Sequence, residues 1–176
     1  NAEGTGIVVT IKPGTKNESV HIPVILSQEG LFDVVQNSFI IGEDADVTII
    51  AGCGIHCGSS EAEGHAGIHD FHVGKNARVT YVEKHFAMGE GTGRRVLNPT
   101  TKVFLGEGAT AEMELTQISG VDEANRINEA TLGPDSLMLI TERVLTEGVQ
   151  TASSVNNILL QGNNSRANMI SRSVIK

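Results

Sequence analysis

Gly74-Lys75-Asn76-Ala77-Arg78-Val79-Thr80-Tyr81-Val82-Glu83 decides the fold. Its first four residues read as a turn and the rest as a strand. Glycine opens a tight turn, often where φ is positive, and the Asn beside it supports the turn through side-chain to backbone hydrogen bonds. The small Ala77 fits a crowded corner. Residues 77, 79 and 81 then share one face, and Arg78, Thr80 and Val82 the other. The pattern Gly-x-x-(Ala/Ser)-x-apolar returns at Gly42 to Val47, Gly106 to Ala111, Gly133 to Met138 and Gly162 to Ala167. Successive glycines stand 32, 32, 27 and 29 residues apart, which is the length of one solenoid repeat.

Working outward, further strand-like runs lie between these copies. They are 7–11, 21–26, 34–41, 68–73, 102–105, 154–160 and 168–175. Pro23 is awkward for a central strand because it lacks an N–H. Each repeat therefore holds about two strands. The segment Val121 to Ala130 has a minority helical reading, bracketed by Gly120 and Gly133-Pro134. No Asn-Gly or Asp-Gly hairpin signal occurs. The expected fold is all-β, a parallel β-helix or β-solenoid with two strands per turn. The rival is an antiparallel sandwich, which would want hairpin signals every 8–12 residues. Two polar, Gly-rich stretches, Gly52 to Gly67 and Ala87 to Pro99, read as insertions bulging from one side. Residues 3–176 read as one β-helix domain, and Asn1-Ala2 as a remnant of tag removal.

Composition agrees with thin, repeated layers. Apolar residues make up 39% of the 176, but aromatics only 3%, with no Trp. The core must be built from Val, Ile, Leu and Ala. A net charge of −8 argues against nonspecific nucleic-acid binding, which needs a basic surface. The longest apolar runs are about five residues, far short of the roughly 20 that span a bilayer. Two cysteines four positions apart do not form a secreted disulfide framework, so a reducing cytoplasm is expected.

Those cysteines lie in Gly52-Cys53-Gly54-Ile55-His56-Cys57. Between two glycines, a Cys53 thiolate could attack a persulfide or bind a soft metal. A buried small hydrophobe is an equally good reading. Cys57 completes Cys-x-x-His-Cys with Cys53 and His56. A zinc site would need a second ligand pair, from His65, His69 and His72. Strand alternation opposes that: His69 falls with Phe71 and Val73, and Asp70 with His72 on the other face. A core-lining His69 and a solvent-facing Asp70 and His72 are expected. His21 and His85 read as surface or strand-end residues. Arg94-Arg95 is a small basic spot, better read as a solvated loop than an anion site. Neither a Walker loop nor a Gly-x-Ser-x-Gly elbow is present.

Gly52-Cys53, His65, the strand 68–73, the repeat Gly74 to Tyr81 and Thr116-Gln117, in that order and spacing, resemble the SufB/SufD family. These are the scaffold proteins of the SUF iron–sulfur cluster assembly system, often described as ABC-transporter-associated. The resemblance covers about Phe39 to Lys176. It implies a right-handed parallel β-helix. It implies pairing with a SufB/SufD-type partner or a second copy, a SufC-like soluble ABC ATPase, a sulfur donor protein and a transient iron–sulfur cluster. The Gly-Cys after the repeat strand is more a SufB feature, and it carries to Cys53 the role of sulfur acceptor or cluster ligand. It does not carry to His56, Cys57, His69 or His72. The segment after Tyr81, Glu83 to Gly89, departs from the family's aromatic-rich one. The family's C-terminal part, with the helical SufC-binding region, has no counterpart before Lys176, so a core fragment of a longer chain is expected.

The expected function is that of a SufB-like scaffold, with ATP hydrolysis in a partner and none of its own catalysis. It would have neither a nucleic-acid nor a membrane partner. His56, Cys57, His65 and His69 stand as possible metal or cluster neighbours of Cys53. The rivals are a cupin-like metal-dependent enzyme using His65, His69 or His72, and a purely structural solenoid that binds another protein.

Overall fold

The computed structural model describes residues 6–176, so the expectation for Asn1-Ala2 lies outside the described residues. Its elements, all strands, are β1 (Val8–Ile11), β2 (Lys16–Leu26), β3 (Phe32–Ile41), β4 (Asp46–His56), β5 (Glu63–Val73) and β6 (Arg78–Met88). They continue as β7 (Arg95–Leu97), β8 (Thr100–Leu105), β9 (Thr110–Gln117), β10 (Glu123–Leu132), β11 (Leu137–Thr146), β12 (Thr151–Leu160) and β13 (Arg166–Ile175). One sheet runs β1-β3-β5-(β7, β8)-β10-β12 and the other β2-β4-β6-β9-β11-β13. Each pairing is parallel. The chain changes sheet at each corner, giving a β-solenoid of about six turns with two strands per turn. That is the expected architecture, and the sandwich is excluded. The segment given a minority helical reading is β10, because Ala124, Arg126, Asn128, Ala130 and Leu132 alternate inward with period two.

The corners differ from expectation in one respect. Positive φ falls on the third residue of each repeat, not the leading glycine: Asp44 at 56°, Asn76 at 53°, Gly108 at 66°, Asp135 at 55° and Asn164 at 58°. Asp and Asn tolerate this region through local hydrogen bonding. The leading glycine answers to a different constraint. A Cβ on Gly42 would lie 2.5 Å from the Pro13 nitrogen, and one on Gly133 would lie 2.7 Å from the Leu105 carbonyl oxygen. Glycine is there so that one coil can lie directly on the previous one.

The first supposed insertion is mostly strand, and the second contains the end of β6 and all of β7. Gly52 to His56 is the end of β4, and Glu63 to Gly67 the start of β5. Only short loops remain, and they stack on one another. Gly91 N donates to Cys57 O at 3.0 Å, Gly93 N to Ser59 O at 3.0 Å and Glu63 N to Arg94 O at 2.8 Å. The repeat thus continues through the loops. Pro23 sits on β2, an edge strand with β4 as its partner, where a missing N–H is tolerated.

Like residues stack in register from coil to coil. Phe39, Phe71, Val103 and Ala130 form one inward ladder, and Ile49, Tyr81, Met113 and Ile140 face it. Phe39 and Phe71 stack with ring centroids 4.6 Å apart. A second apolar cluster holds Leu26, Cys53, Ile55, Ala87, Leu97, Val121 and Ala124. Between the two clusters the interior is polar and charged. Among the described residues no helix is long and apolar enough to cross a membrane.

Candidate functional site

Strand alternation builds this polar layer. On β6 the inward positions 79 and 81 continue to Glu83 and His85, both buried. On β5 the inward set is Glu63, His65, Gly67, His69 and Phe71. Arg126 comes inward from β10 and Glu142 from β11. Cys53 points inward from β4, 3% exposed, and lies beside His85 in the register.

A chain of hydrogen bonds fixes the protons. Asn37 Nδ2 donates to His69 Nε2 at 3.4 Å, and His69 Nδ1 donates to Tyr81 Oη at 2.5 Å. Tyr81 donates to Glu83 Oε1 at 2.8 Å. Arg126 Nη2 lies 2.6 Å from Glu83 Oε2, close enough for an ion pair but not aligned as a hydrogen bond. The same Nη2 donates to His85 Nδ1 at 3.2 Å, which places the His85 proton on Nε2, 3.6 Å from Glu83 Oε1. Arg126 Nε also lies 3.7 Å from Glu142 Oε1, and Ser171 donates to Glu142 Oε2 at 3.0 Å. At the other side His65 Nδ1 donates to Asp33 Oδ2 at 3.2 Å.

Charge states follow from burial and these partners. Burial favours the neutral Glu83 carboxyl, but Arg126 first, then His85, His69 and the Tyr81 hydroxyl, outweigh it and hold Glu83 well below the usual carboxylate range. Burial pushes His85 down to about 4, against the opposing pull of Glu83. His65 and His69 are also lowered, chiefly by burial. Burial raises the Tyr81 hydroxyl, and Glu83 adds to the rise. Cys53 is pushed up to about 12, first by burial and then by the charges of Glu83 and Asp33. At neutral pH the layer therefore holds a thiol, three neutral imidazoles and an ionised Glu83–Arg126 pair.

The residues singled out from the sequence part company here. Cys53, His65 and His69 line one small cavity with Glu83 and His85. His56 is exposed on the opposite strand face. Cys57 lies outside the cavity, fully buried at the loop stack, with Sγ 3.5 Å from Ser59 O and 3.7 Å from Gly93 O. Both thiols are free. Four residues of extended strand separate them by roughly 13 Å. A disulfide needs Cα atoms about 4.4–6.8 Å apart. His72 faces outward as expected, stacked on Phe104 at 4.9 Å. His21 lies exposed on edge strand β2. His85 does not lie at the surface: it is a core residue of the charged layer, because its parity is that of Tyr81. Arg94 pairs with Glu123 at the start of β10 at 2.5 Å, and Arg95 donates to Gly89 O and Gly91 O, so one guanidinium ties the loop to the next coil and the other serves the loop itself.

Sequence reading missed Glu83, Arg126, Glu142 and Glu63. Extending the quoted strand's alternation by four residues would have found Glu83 and His85. Glu63 is fully buried at the start of β5 with no hydrogen-bond partner on either carboxylate oxygen.

The model of the SUF system FeS cluster assembly SufBD core domain matches residues 24–176. The chain belongs to the SufBD core family. The comparison with curated proteins agrees. A protein of Archaeoglobus fulgidus named iron–sulfur cluster assembly SufBD family protein is 28% identical over 142 residues, covering 81% of this chain and 37% of that protein. A Methanothermobacter thermautotrophicus protein of the same name is 25% identical over 181 residues, covering 99% of this chain and 42% of its own length. This SufBD core therefore spans about two-fifths of the length of the curated relatives it matches. No solved structure matches it. The matched family is described as the core domain of proteins of the SUF system for iron–sulfur cluster assembly.

Proposed function

We propose that this SufBD core acts as a SufB-like scaffold, with Cys53 as sulfur acceptor or cluster ligand. The observation that carries this is the position of Cys53: it is the one cysteine in the buried charged layer, in a cavity shared with His65, His69, Glu83 and His85. Cys57 has no such setting. In the accepting step the Cys53 thiolate attacks the terminal sulfur of a donor's persulfide, the donor's S–S bond breaks, and the donor leaves as a thiolate. Cys53 then carries the persulfide. The thiol is protonated at neutral pH, so the step requires its proton to leave, either to solvent on opening of the layer or by neutralisation of the nearby carboxylate charge.

Under this reading the chain hydrolyses no nucleotide. A SufC-like ABC ATPase supplies that activity, and a SufB/SufD-type partner or a second copy completes the assembly. The iron–sulfur cluster is cargo, held transiently. Two free thiols fit a reducing, cytoplasmic setting. The test is Cys53→Ala in the full-length protein, reconstituted anaerobically with the ATPase, iron and a sulfur donor. Loss of cluster absorbance in the variant is expected; normal loading would sink the role of Cys53.

A further inference from the structure

The gap over Gly67 is built like half of a metal site. His65, Gly67 and His69 lie on the inward face of β5, and the central glycine leaves an opening between the two rings. A Cβ placed on Gly67 would stand 3.1 Å from His65 Nε2 and 3.4 Å from His69 Nε2, so both ring nitrogens border one small space. Each ring has its other nitrogen engaged. His65 Nδ1 donates to Asp33, and His69 Nδ1 donates to Tyr81, which is in turn held by Glu83. Metal-ligating histidines characteristically donate that second N–H to a carboxylate or another oxygen, which fixes the tautomer and aims the free lone pair. His65 Nε2 has no hydrogen-bond partner among the described residues, and His69 Nε2 has only the long 3.4 Å contact from Asn37.

The surroundings favour a cation. Asp33, Glu83 and Glu142 bring three carboxylates to the layer against one guanidinium, Arg126. The cavity has room for about one water-sized sphere, and Cys53 closes it from the opposite sheet. Two imidazoles with one thiolate select a borderline-soft ion.

The geometry points to a binding site for one divalent transition-metal ion of the iron, cobalt or zinc type, held by His65 Nε2, His69 Nε2 and the sulfur of Cys53. No three His, Cys, Asp or Glu side chains are already gathered at ligand spacing among the described residues. Binding therefore turns the Cys53 side chain about its single rotor toward the rings. The thiol proton goes to solvent as the metal–sulfur bond forms, which metal coordination promotes strongly. The site is independent of sulfur transfer, since it is read in protein that meets neither a sulfur donor nor an ATPase.

Anaerobic titration of the metal-free full-length protein with Co²⁺ tests this, followed by visible and near-ultraviolet absorption. The expected result is one equivalent with d–d bands of a low-coordinate ion and a thiolate-to-cobalt charge-transfer band. Gly67→Ala keeps all three ligands but fills the gap, and should weaken that equivalent at least tenfold while circular dichroism stays unchanged. Cys53→Ser should abolish the charge-transfer band. Equal cobalt affinity in Gly67→Ala, or an unchanged charge-transfer band in Cys53→Ser, would overturn the site, as would the absence of cobalt binding to the unaltered protein. Failure here leaves cluster loading through Cys53 untouched, and failure of Cys53→Ala to impair loading leaves the metal site standing.

Discussion

Glu83 is a buried carboxylate that stays ionised among other charged groups. A carboxylate buried in a β-solenoid has no water to solvate it, so its ionised form depends on Arg126, which reaches it from the opposite sheet at 2.6 Å. Arg126 in turn has Glu142 and His85 as its other neighbours. Removing one partner strands a charge; removing both leaves a neutral interior. Glu83→Gln and Arg126→Met should each destabilise the chain by about 3–5 kcal/mol, and the double variant by clearly less than the sum. Urea unfolding of the four proteins measures this, and simple additivity would show that the two charges do not depend on one another. Nothing in the composition betrayed this pair. The residues are 43 apart in sequence, and only the coil register brings them together. Glu83 was legible by parity; its partner was not, because a strand pattern gives the face of a residue but not what stands across from it.

At the scale of the element, the repeat was readable and the reason for its glycine was not. Gly-x-x-(Ala/Ser) announced the corner and its period, and all five copies became corners. From the sequence alone the positive φ is expected on the glycine, because glycine is the usual tenant of that region. The chain instead puts Asp, Asn or Gly two residues later. What glycine supplies at the leading position is the absence of a Cβ against the coil below, a tertiary demand invisible in a single repeat. This separates the two positions experimentally. Asn76→Gly should be tolerated, since glycine takes φ near 53° freely, whereas Asn76→Val should cost about 1–2 kcal/mol. Thermal unfolding of both variants checks it; equal stability would mean that the corner does not depend on this backbone conformation. The same coil-on-coil demand explains the loops. Segments that looked like insertions because they are polar and Gly-rich are stacked layers, with glycines where one loop touches the next.

Across the whole molecule the interior has a sequence of its own: an apolar cluster around Phe39, Phe71 and Tyr81, then the charged layer, then a second apolar cluster around Ile55 and Leu97. The middle layer ties stability to pH. His85 faces Glu83, Arg126, His65 and His69, and its folded value near 4 lies below its ordinary 6.5. Between those values the unfolded chain binds a proton that the folded chain refuses. Acidification through that window therefore favours unfolding, by on the order of 3 kcal/mol for His85 taken alone. His65 and His69, also lowered, act in the same direction. Glu83 reinforces the trend at lower pH. Its folded value is depressed, so its contribution is present above the ordinary carboxylate range and is lost as pH falls through it. Stability should thus be steady between about pH 7 and 8 and should fall continuously from about pH 6.5 downward, with no compensating gain in that range, because the three histidines and Glu83 are all lowered while the raised Cys53 and Tyr81 act only at alkaline pH. Replacing His85 by Gln should flatten the decline between pH 6.5 and 4 without removing it. Urea midpoints measured every half unit from pH 8 to 4, with a chelator present, give the curve directly. A midpoint that holds level or rises between pH 6.5 and 5 would mean that the buried imidazoles are already protonated in the folded chain, and that the charged layer carries more positive charge than Arg126 alone.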